Sequence, residues 1–345
     1  AVPATGYHFV QWSDGSMENP RIDLTVTADL EVTAHFAITT YTLTYLAGAN
    51  GSLTGETTQT VNHGSDGTPV TAVPATGYHF VQWSDENTDN PRNDTNVTAD
   101  LTVPAESKIN PYPIPATASA NGQISPAGET QVAHGSNLVF TLTPNTGYHL
   151  AALLVNGEPV EPVSPFTLSN ITQSGTIHAE FAINVYIIEA TAGAGGSISP
   201  SGDVEVNHGS NQPFTITPDT GYHITDVSVN GISIGAVASY VFVNVTANAS
   251  ISAQFAINTY TLTYLAGANG SLTGETTQTV EHGSDGTAVT AVPATGYHFS
   301  QWSDGSTDNP RTDTNVTADL TVTAQFVINT YTLTYLAGAN GSLTG

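Results

Sequence analysis

Apolar and polar side chains alternate along short stretches of the chain, which is the pattern of strands with one buried face. The stretch Tyr260–Tyr264 has tyrosine or leucine at every second position with threonine between them, and Leu320–Ile328 alternates in a similar way. Glycine-rich turns such as Gly267–Gly270 separate such stretches and supply the positive φ of a hairpin. No window of about 12 residues has the spacing of an amphipathic helix, so at most one helical turn is expected, in Asp308–Asn315. The sequence predicts an all-β fold.

The alternation changes phase in the strand that follows each Gly-Tyr-His turn. In Tyr222–Val229 the first two apolar residues share one face, whereas the next two fall on the other face. One extra residue in the strand, a β-bulge, would return all four side chains to a single core. We therefore predict bulges near Thr225–Asp226 and near Val81–Gln82. The second bulge would direct three aromatic side chains into one core: Tyr78, Phe80 and Trp83.

The same pattern returns along the whole chain as a tandem repeat. The strand Tyr-Thr-Leu-Thr-Tyr opens repeats at Tyr41, Tyr260 and Tyr331, and diverged copies open at Tyr112 and Tyr186. The predicted domains are a partial repeat, four complete repeats and an opening hairpin: 1–40, 41–111, 112–185, 186–259, 260–330 and 331–345. Repeats 41–111 and 260–330, called the short repeats, have 71 residues, and the other two, called the long repeats, have 74.

Successive repeats are joined by very short connectors, such as Val327–Thr330, with no Gly/Ser-rich linker. Such a connector cannot act as a flexible coil, so neighbouring domains are expected to touch and to form a rod, like beads on a string. One junction departs from this rule. In Pro104–Pro115, Ser107 replaces the phenylalanine of the other closing strands, and three prolines remove amide donors from one side of the next strand. This segment is a hinge or an edge for docking, or else a product of local divergence or of an error in the sequence.

Recurring glycines, histidines and aromatic residues give the chain a family resemblance. The matching elements are Asn50-Gly51-Ser52, His63-Gly64-Ser65, Gly77–Phe80 with Trp83, and Val322–Phe326. They resemble the bacterial repeats related to the internalin B-repeat family, also called the Listeria–Bacteroides repeat, over essentially the whole chain. The resemblance implies small antiparallel, β-grasp-like domains on secreted or wall-attached proteins, and it implies no catalytic residues. The long repeats depart from the pattern because they lack the tryptophan.

The charge of the chain excludes several classes of partner. Of 345 residues, 4 are Lys or Arg and 29 are Asp or Glu, which gives a formal net charge of −25. A surface this acidic repels nucleic acid and anionic lipid. There is no cysteine, so neither disulfides nor thiol chemistry is expected. No apolar run reaches the roughly 18 residues that a membrane span needs. The family resemblance implies that the chain is secreted or lies at the surface of a bacterial cell.

The acidic loop of the short repeats contains a candidate calcium site. Ca²⁺ binds six to eight oxygen atoms, and four aspartates lie within 16 positions of the chain: Asp304, Asp308, Asp313 and Asp319. The long repeats lack this cluster, so the fold itself does not require it. The alternative is a solvated loop in which Asp and Asn bond their own backbone and Arg311 pairs with an acid at the surface, where an ion pair contributes little. No other cofactor is expected.

The recurring histidines and tryptophans each allow two interpretations. Histidines such as His63 and His79 suit a metal-binding pair, or else a turn and an outer-face position bonded to the backbone. A tryptophan such as Trp83 suits a platform for stacking sugars, or else the core of a strand.

No catalytic motif is present, and every polar feature recurs although an active site is normally unique, so we expect no enzyme. The first hypothesis is a structural protein that forms the body of an extracellular fibre or a cell-surface stalk. The alternative is an adhesin that binds a host, matrix or carbohydrate ligand through repeated faces. The expected partner is the chain itself, assembled laterally or head to tail, besides an unidentified surface ligand. In head-to-tail assembly, a strand with Tyr331, Leu333 and Tyr335 would complete residues 1–40 of the next molecule, although a longer array cut at both ends has the same appearance.

Overall fold

The computed structural model describes all 345 residues, which form thirty β-strands and no helix. The prediction of an all-β tandem-repeat fold is confirmed, whereas the helical turn predicted in Asp308–Asn315 is wrong. In that segment the side-chain amide of Asn309 exchanges hydrogen bonds of 2.8 and 2.9 Å with the backbone of Ala291, and the backbone of Arg311 exchanges two hydrogen bonds with that of Val289. The backbone is thus tied to a neighbouring strand and cannot form helical bonds with itself.

The strands follow one another in the same order in each repeat. Residues 1–40 contain β1 (Tyr7–Trp12) and β2 (Ala34–Ile38). The first short repeat contains β3 (Thr40–Leu46), β4 (Gly51–Thr54), β5 (Thr58–Asn62), β6 (Thr71–Pro74), β7 (Tyr78–Trp83) and β8 (Leu101–Ile109). The first long repeat contains β9 (Pro111–Ala118), β10 (Gly122–Ser125), β11 (Gly128–Ala133), β12 (Ser136–Pro144), β13 (Tyr148–Val155), β14 (Glu158–Val160), β15 (Phe166–Ile171) and β16 (Ile177–Ile183).

The second half of the chain continues in the same way. The second long repeat contains β17 (Val185–Ala192), β18 (Gly196–Ser199), β19 (Gly202–Asn207), β20 (Gln212–Pro218), β21 (Tyr222–Val229), β22 (Ile232–Ser233), β23 (Ser239–Phe242) and β24 (Ala249–Ile257). The second short repeat contains β25 (Thr259–Ala266), β26 (Gly270–Thr273), β27 (Thr277–Glu281), β28 (Thr290–Pro293), β29 (Tyr297–Trp302) and β30 (Leu320–Ile328). The chain divides into two compact units, Ala1–Ala182 and Ile183–Gly345.

Each repeat has a main sheet with the opening and closing strands at its centre. In the second short repeat the order is β27-β25-β30-β29, and β25 runs parallel to β30. The sheet is therefore mixed and not purely antiparallel, because the chain returns to the same end of the sheet before it forms the closing strand. The long repeats add a fifth strand to this sheet, β14 or β22, next to β13 or β21. The arrangement is β-grasp-like but lacks a helix.

A smaller sheet covers the main sheet, and the core of each repeat lies between the two. The smaller sheet has two strands in the short repeats, such as β26-β28, and three in the long repeats, such as β18-β20-β23. In the second short repeat Leu262, Tyr264 and Trp302 are almost completely buried between the sheets, and in the second long repeat Ile188 and Phe214 are buried in the equivalent core.

Both predicted β-bulges are present. The pairing of β21 with β24 shifts register between Ile224 and Asp226, and the pairing of β7 with β8 shifts between Phe80 and Gln82. As a result Trp83 is completely buried and Phe80 packs against the same core. Tyr78 is half-buried and does not belong to that core, so the prediction is wrong for this residue. The bulge therefore redirects the tryptophan inward, which confirms its interpretation as a core residue.

Candidate functional site

The polar residues that recur in the repeats meet at the junctions between repeats. Asn110 is the single residue between β8 and β9. Its amide donates to the carbonyl of Gly77 (2.7 Å), and its carbonyl accepts from the amide of His134 in the following repeat (3.0 Å). Its Oδ1 lies 2.8 Å from Nδ1 of His79. The connector is thus bonded to the Gly-Tyr-His turn behind it and the His-Gly-Ser loop ahead of it.

The junction between the second long and the second short repeat has the same contacts. Asn258 donates to the carbonyl of Gly221 (2.7 Å) and accepts from the amide of His282 (2.8 Å), and its Oδ1 lies 2.8 Å from Nδ1 of His223. Thr39 makes the two backbone bonds at the junction after residues 1–40, also at 2.8 Å each. These contacts define what we call the junction clamp.

A glycine in the junction clamp lies directly against an imidazole ring of the next repeat. Gly77 has φ of +83°, and a Cβ atom at that position would overlap the ring of His134. Gly221 stands in the same relation to His282. The ring of His134 is held in turn by Tyr112, whose hydroxyl lies 3.3 Å from Nδ1. Glycine is favoured for two reasons, because a side chain would be strained at this φ value and would overlap the imidazole ring.

This geometry gives the recurring histidines an interlocking role between repeats. His79 is exposed, as the outer-face interpretation predicted, but it bonds the side chain of Asn110 and not the backbone. His63 packs against Gly6 of residues 1–40. No group of three or more His, Cys, Asp or Glu side chains is arranged to hold a metal ion. Sequence reasoning missed the clamp, although a glycine, two histidines and a connector asparagine recurring together were a usable signal.

The arginine of the Asn-Pro-Arg motif forms a second polar cluster, inside each short repeat. Arg311 is 6% exposed, so its expected surface position is wrong. Its guanidinium donates to both carboxylate oxygens of Asp304 (2.9 and 2.7 Å) and of Asp313 (2.8 and 2.7 Å). It also lies 5.6 Å from the centroid of the Trp302 ring. The Tyr264 hydroxyl donates to Asp313 at 2.7 Å.

The first short repeat contains the equivalent cluster, which is formed by Arg92, Asp85, Asp94, Trp83 and Tyr45. The hydrogen bonds from Arg92 hold the pKa of Asp85 below its usual value. Burial by itself raises the pKa of Asp94, but the hydrogen bonds from Arg92 and Tyr45 outweigh it, so that pKa is also lowered. Burial and the hydrogen bond to Asp94 raise the pKa of the Tyr45 hydroxyl. Both carboxylates are therefore anions that depend on one arginine.

The structure brings together two of the four candidate calcium ligands, around an arginine. Asp304 and Asp313 both bind Arg311. Asp319 accepts a 2.8 Å hydrogen bond from the amide of Thr261 at the start of β25, and the backbone carbonyl of Asp308 accepts from the Trp302 indole at 2.9 Å. The calcium site stays a prediction from the sequence, and in the structure a guanidinium supplies the positive charge.

The candidate inter-subunit strand residues lie outside any strand. Tyr331, Leu333 and Tyr335 are 83%, 79% and 75% exposed. The identical sequence at Tyr260–Tyr264 belongs to β25, where Leu262 and Tyr264 are buried. No helix of the structure has the length and apolar character needed to cross a membrane.

Comparison with known proteins identifies a family and similar solved structures. The family model for the divergent InlB B-repeat domain matches residues 1–40, 41–109, 112–185, 186–259 and 260–330. Among solved structures, the Bacillus anthracis TIE protein is similar at 9% sequence identity, covering 94% of this chain and 75% of that chain, with a TM-score of 0.39. No curated protein sequence matches the chain significantly.

Proposed function

The chain belongs to the divergent InlB B-repeat domain family, and on that premise we propose that it is a non-enzymatic structural protein of the bacterial cell exterior. Its repeats would form the body of a fibre or of a cell-surface stalk. The family is typical of bacterial surface or extracellular proteins, which supports the proposed location.

The junction clamp is the observation that carries this proposal. A single residue separates β8 from β9 and β24 from β25, and it is hydrogen-bonded to both neighbouring repeats. A flexible linker would leave each repeat free to reorient, whereas this connector is bonded through its amide, its carbonyl and its side chain. Histidine is a common residue of active sites, but here the histidines recur in each repeat and help to join one repeat to the next.

The polar groups inside the repeats also support a structural role. Arg92 and Arg311 are enclosed by aspartates of their own loop, and every buried side-chain nitrogen and oxygen has a hydrogen-bond partner. Trp83 and Trp302 are completely buried, so the adhesin alternative lacks the recurring aromatic platform that would bind a carbohydrate. These residues stabilise the repeat and are not presented to a ligand.

Self-association is part of the proposal. The strand sequence at Tyr331–Tyr335 is that of β25, so it is suited to open a further repeat in which Leu333 and Tyr335 become buried. That repeat would be supplied by the continuation of the chain or by a second copy.

The location and the role can be tested with antibodies raised against the short repeats. We expect immunogold particles to decorate intact, unpermeabilised cells along fibres or stalks. Labelling that requires permeabilisation would contradict the proposed location. Labelling spread evenly over the envelope, without projections, would contradict the proposed role.

A further inference from the structure

Three complete repeats cover a glycine of the opening hairpin with a phenylalanine from the closing strand. The pairs are Gly122 with Phe181, Gly196 with Phe255, and Gly270 with Phe326. A Cβ atom at any of these glycines would overlap the phenyl ring. The absence of a side chain on the glycine therefore leaves the space that the ring occupies.

The first short repeat has the same backbone without the ring. Ser107 is the cross-strand partner of Phe80, as Phe326 is the partner of Phe299. Gly51 is exposed, whereas its three counterparts are half-buried. The nearest side-chain atom to a Cβ placed on Gly51 is the Ser107 hydroxyl, at 3.7 Å. We call the space bounded by Gly51, Phe80 and Ser107 the ring slot.

The phenylalanine of the other short repeat shows what the ring slot is shaped to hold. The rings of Phe299 and Phe326 meet edge to face, with centroids 6.2 Å apart and planes at 70°. In the first short repeat the ring of Phe80 still contacts that of Trp83, with centroids 5.9 Å apart. One wall of the aromatic cluster is thus preserved in the first short repeat, and the ring that would complete the cluster is replaced by a hydroxymethyl group.

An open cleft gives access beside the ring slot. It has a volume of about 380 Å³ and is lined by Gly48, Ala49 and the segment Pro104–Lys108, which includes Ser107. Side chains alternate along β8, so Glu106 and Lys108 lie on the face opposite Ser107 and neither charge faces the ring slot.

We propose that the ring slot is a docking site for the side chain of a phenylalanine or tyrosine presented by a second polypeptide. The occupant is specified by the three sister repeats, in which a phenyl ring of the same chain fills the equivalent position. The aromatic edge-to-face contact and the close approach to glycine favour a ring over an aliphatic side chain. The site is independent of whether the array forms a fibre or a stalk.

The test uses the full chain and two reciprocal variants. N-acetyl-L-phenylalaninamide is titrated while the amide resonances of Gly51 and Phe80 are followed by NMR, and N-acetyl-L-leucinamide serves as the aliphatic probe. We expect saturable shifts with the aromatic probe at a concentration at least tenfold lower than with the aliphatic probe. Ser107→Phe should abolish the shifts, because the new ring fills the slot from within the chain.

Phe326→Ser should open the equivalent slot, so that the aromatic probe now shifts Gly270 and Phe299. If this variant fails to fold, the comparison of probe binding to wild type and to Ser107→Phe still tests the proposal. No shift in the wild-type chain would overturn the proposal. Equal responses to the two probes, or shifts that persist at Gly51 in Ser107→Phe, would overturn it as well.

Discussion

At the scale of single residues, the arginine clusters show how one side chain stabilises a whole loop. Arg92 lies between Asp85 and Asp94 and over the face of Trp83, at 5.7 Å from the ring centroid. A cation over a desolvated indole ring is attracted to it by up to about 2 kcal/mol. Tyr45 extends the cluster from the opening strand to the loop through its bond to Asp94. The loop before the closing strand is therefore fixed to the first strand of the repeat.

Replacing one aspartate in this cluster should destabilise the first short repeat. Asp94→Asn leaves Arg92 only 3% exposed with a single anionic partner, and removing one partner of a buried ion pair costs roughly 3–5 kcal/mol. Since Asp85 remains, we expect about 3 kcal/mol at neutral pH, measured as local stability by hydrogen exchange in 41–111. The control is Asp89→Asn, an exposed carboxylate of the same loop, which should change stability by less than about 0.5 kcal/mol. Equal effects of the two changes would contradict the assigned role of the pair.

The difference in stability between wild type and Asp94→Asn should depend on pH, and the sign of this dependence follows from the pKa of Asp94. The pKa of Asp94 is lowered in the folded chain, so its contribution is fully present above the unfolded pKa of about 3.9 and is lost as the pH falls through the folded pKa. We expect the stability difference between wild type and Asp94→Asn to be constant from about pH 7 to pH 5 and to shrink below about pH 4. Urea denaturation at a series of pH values measures it. A difference that grows on acidification would show that the carboxylate is not held by Arg92.

The position of these arginines shows the limit of prediction at this scale. Their pairing with aspartates was predictable from the repeated Asn-Pro-Arg motif in an acidic loop. Their burial was not, because it depends on Trp83 and Tyr45 from distant strands. The signal available was the joint absence of arginine, this tryptophan and this tyrosine from the long repeats, where Ala116 and Ala190 take the place of the tyrosine.

At the scale of elements, the junction clamp joins repeats through backbone contacts that a side chain would prevent. Gly221 and Gly296 occupy the same place in the Gly-Tyr-His turn with φ of +84° and +88°. His282 lies against Gly221, whereas no atom lies within 4 Å of a Cβ placed on Gly296. The two glycines therefore separate the effect of backbone conformation from the effect of packing between repeats.

Alanine at these two positions should have different effects. Gly296→Ala should cost about 1–2 kcal/mol for the left-handed backbone alone. Gly221→Ala should cost a further 1–3 kcal/mol or so because its methyl group overlaps His282. Hydrogen exchange of repeats 186–259 and 260–330 reports both changes, and Gly221→Ala should loosen the His282 loop in addition. The account of the clamp fails if the two variants are equally stable.

Prediction at the level of elements succeeded where the signal was local. The bulges followed from a phase slip within eight residues, Tyr222–Val229, because a strand with one buried face must keep its apolar residues on that face. The parallel pairing of β25 with β30 was not predictable from the alternation. A strand with one buried face shows the same period-2 pattern whether its neighbour runs parallel or antiparallel to it. The parallel pairing of β9 with β16 starts at Ala116, after the last of the three prolines and two residues later than the equivalent pairing at Ile188 and Leu262; the hinge or docking edge stays a prediction.

At the scale of the whole molecule, the repeats explain why the fold class could be predicted and the individual ring slot could not. Recurrence of one strand pattern identifies the all-β architecture and the family. The ring slot arises where one repeat departs from the others, at Ser107, and its shape becomes visible only when the sister repeats show a ring in that place. The predicted rod is a property of the assembled array and stays a prediction.

The most direct test of the structural role is negative-stain electron microscopy of the protein as isolated from cells. Antibodies against the short repeats identify the particles and locate the repeats along them. The account predicts uniform fibres or extended stalks labelled at regular intervals along their length. Compact, separate particles with no extended form would contradict it.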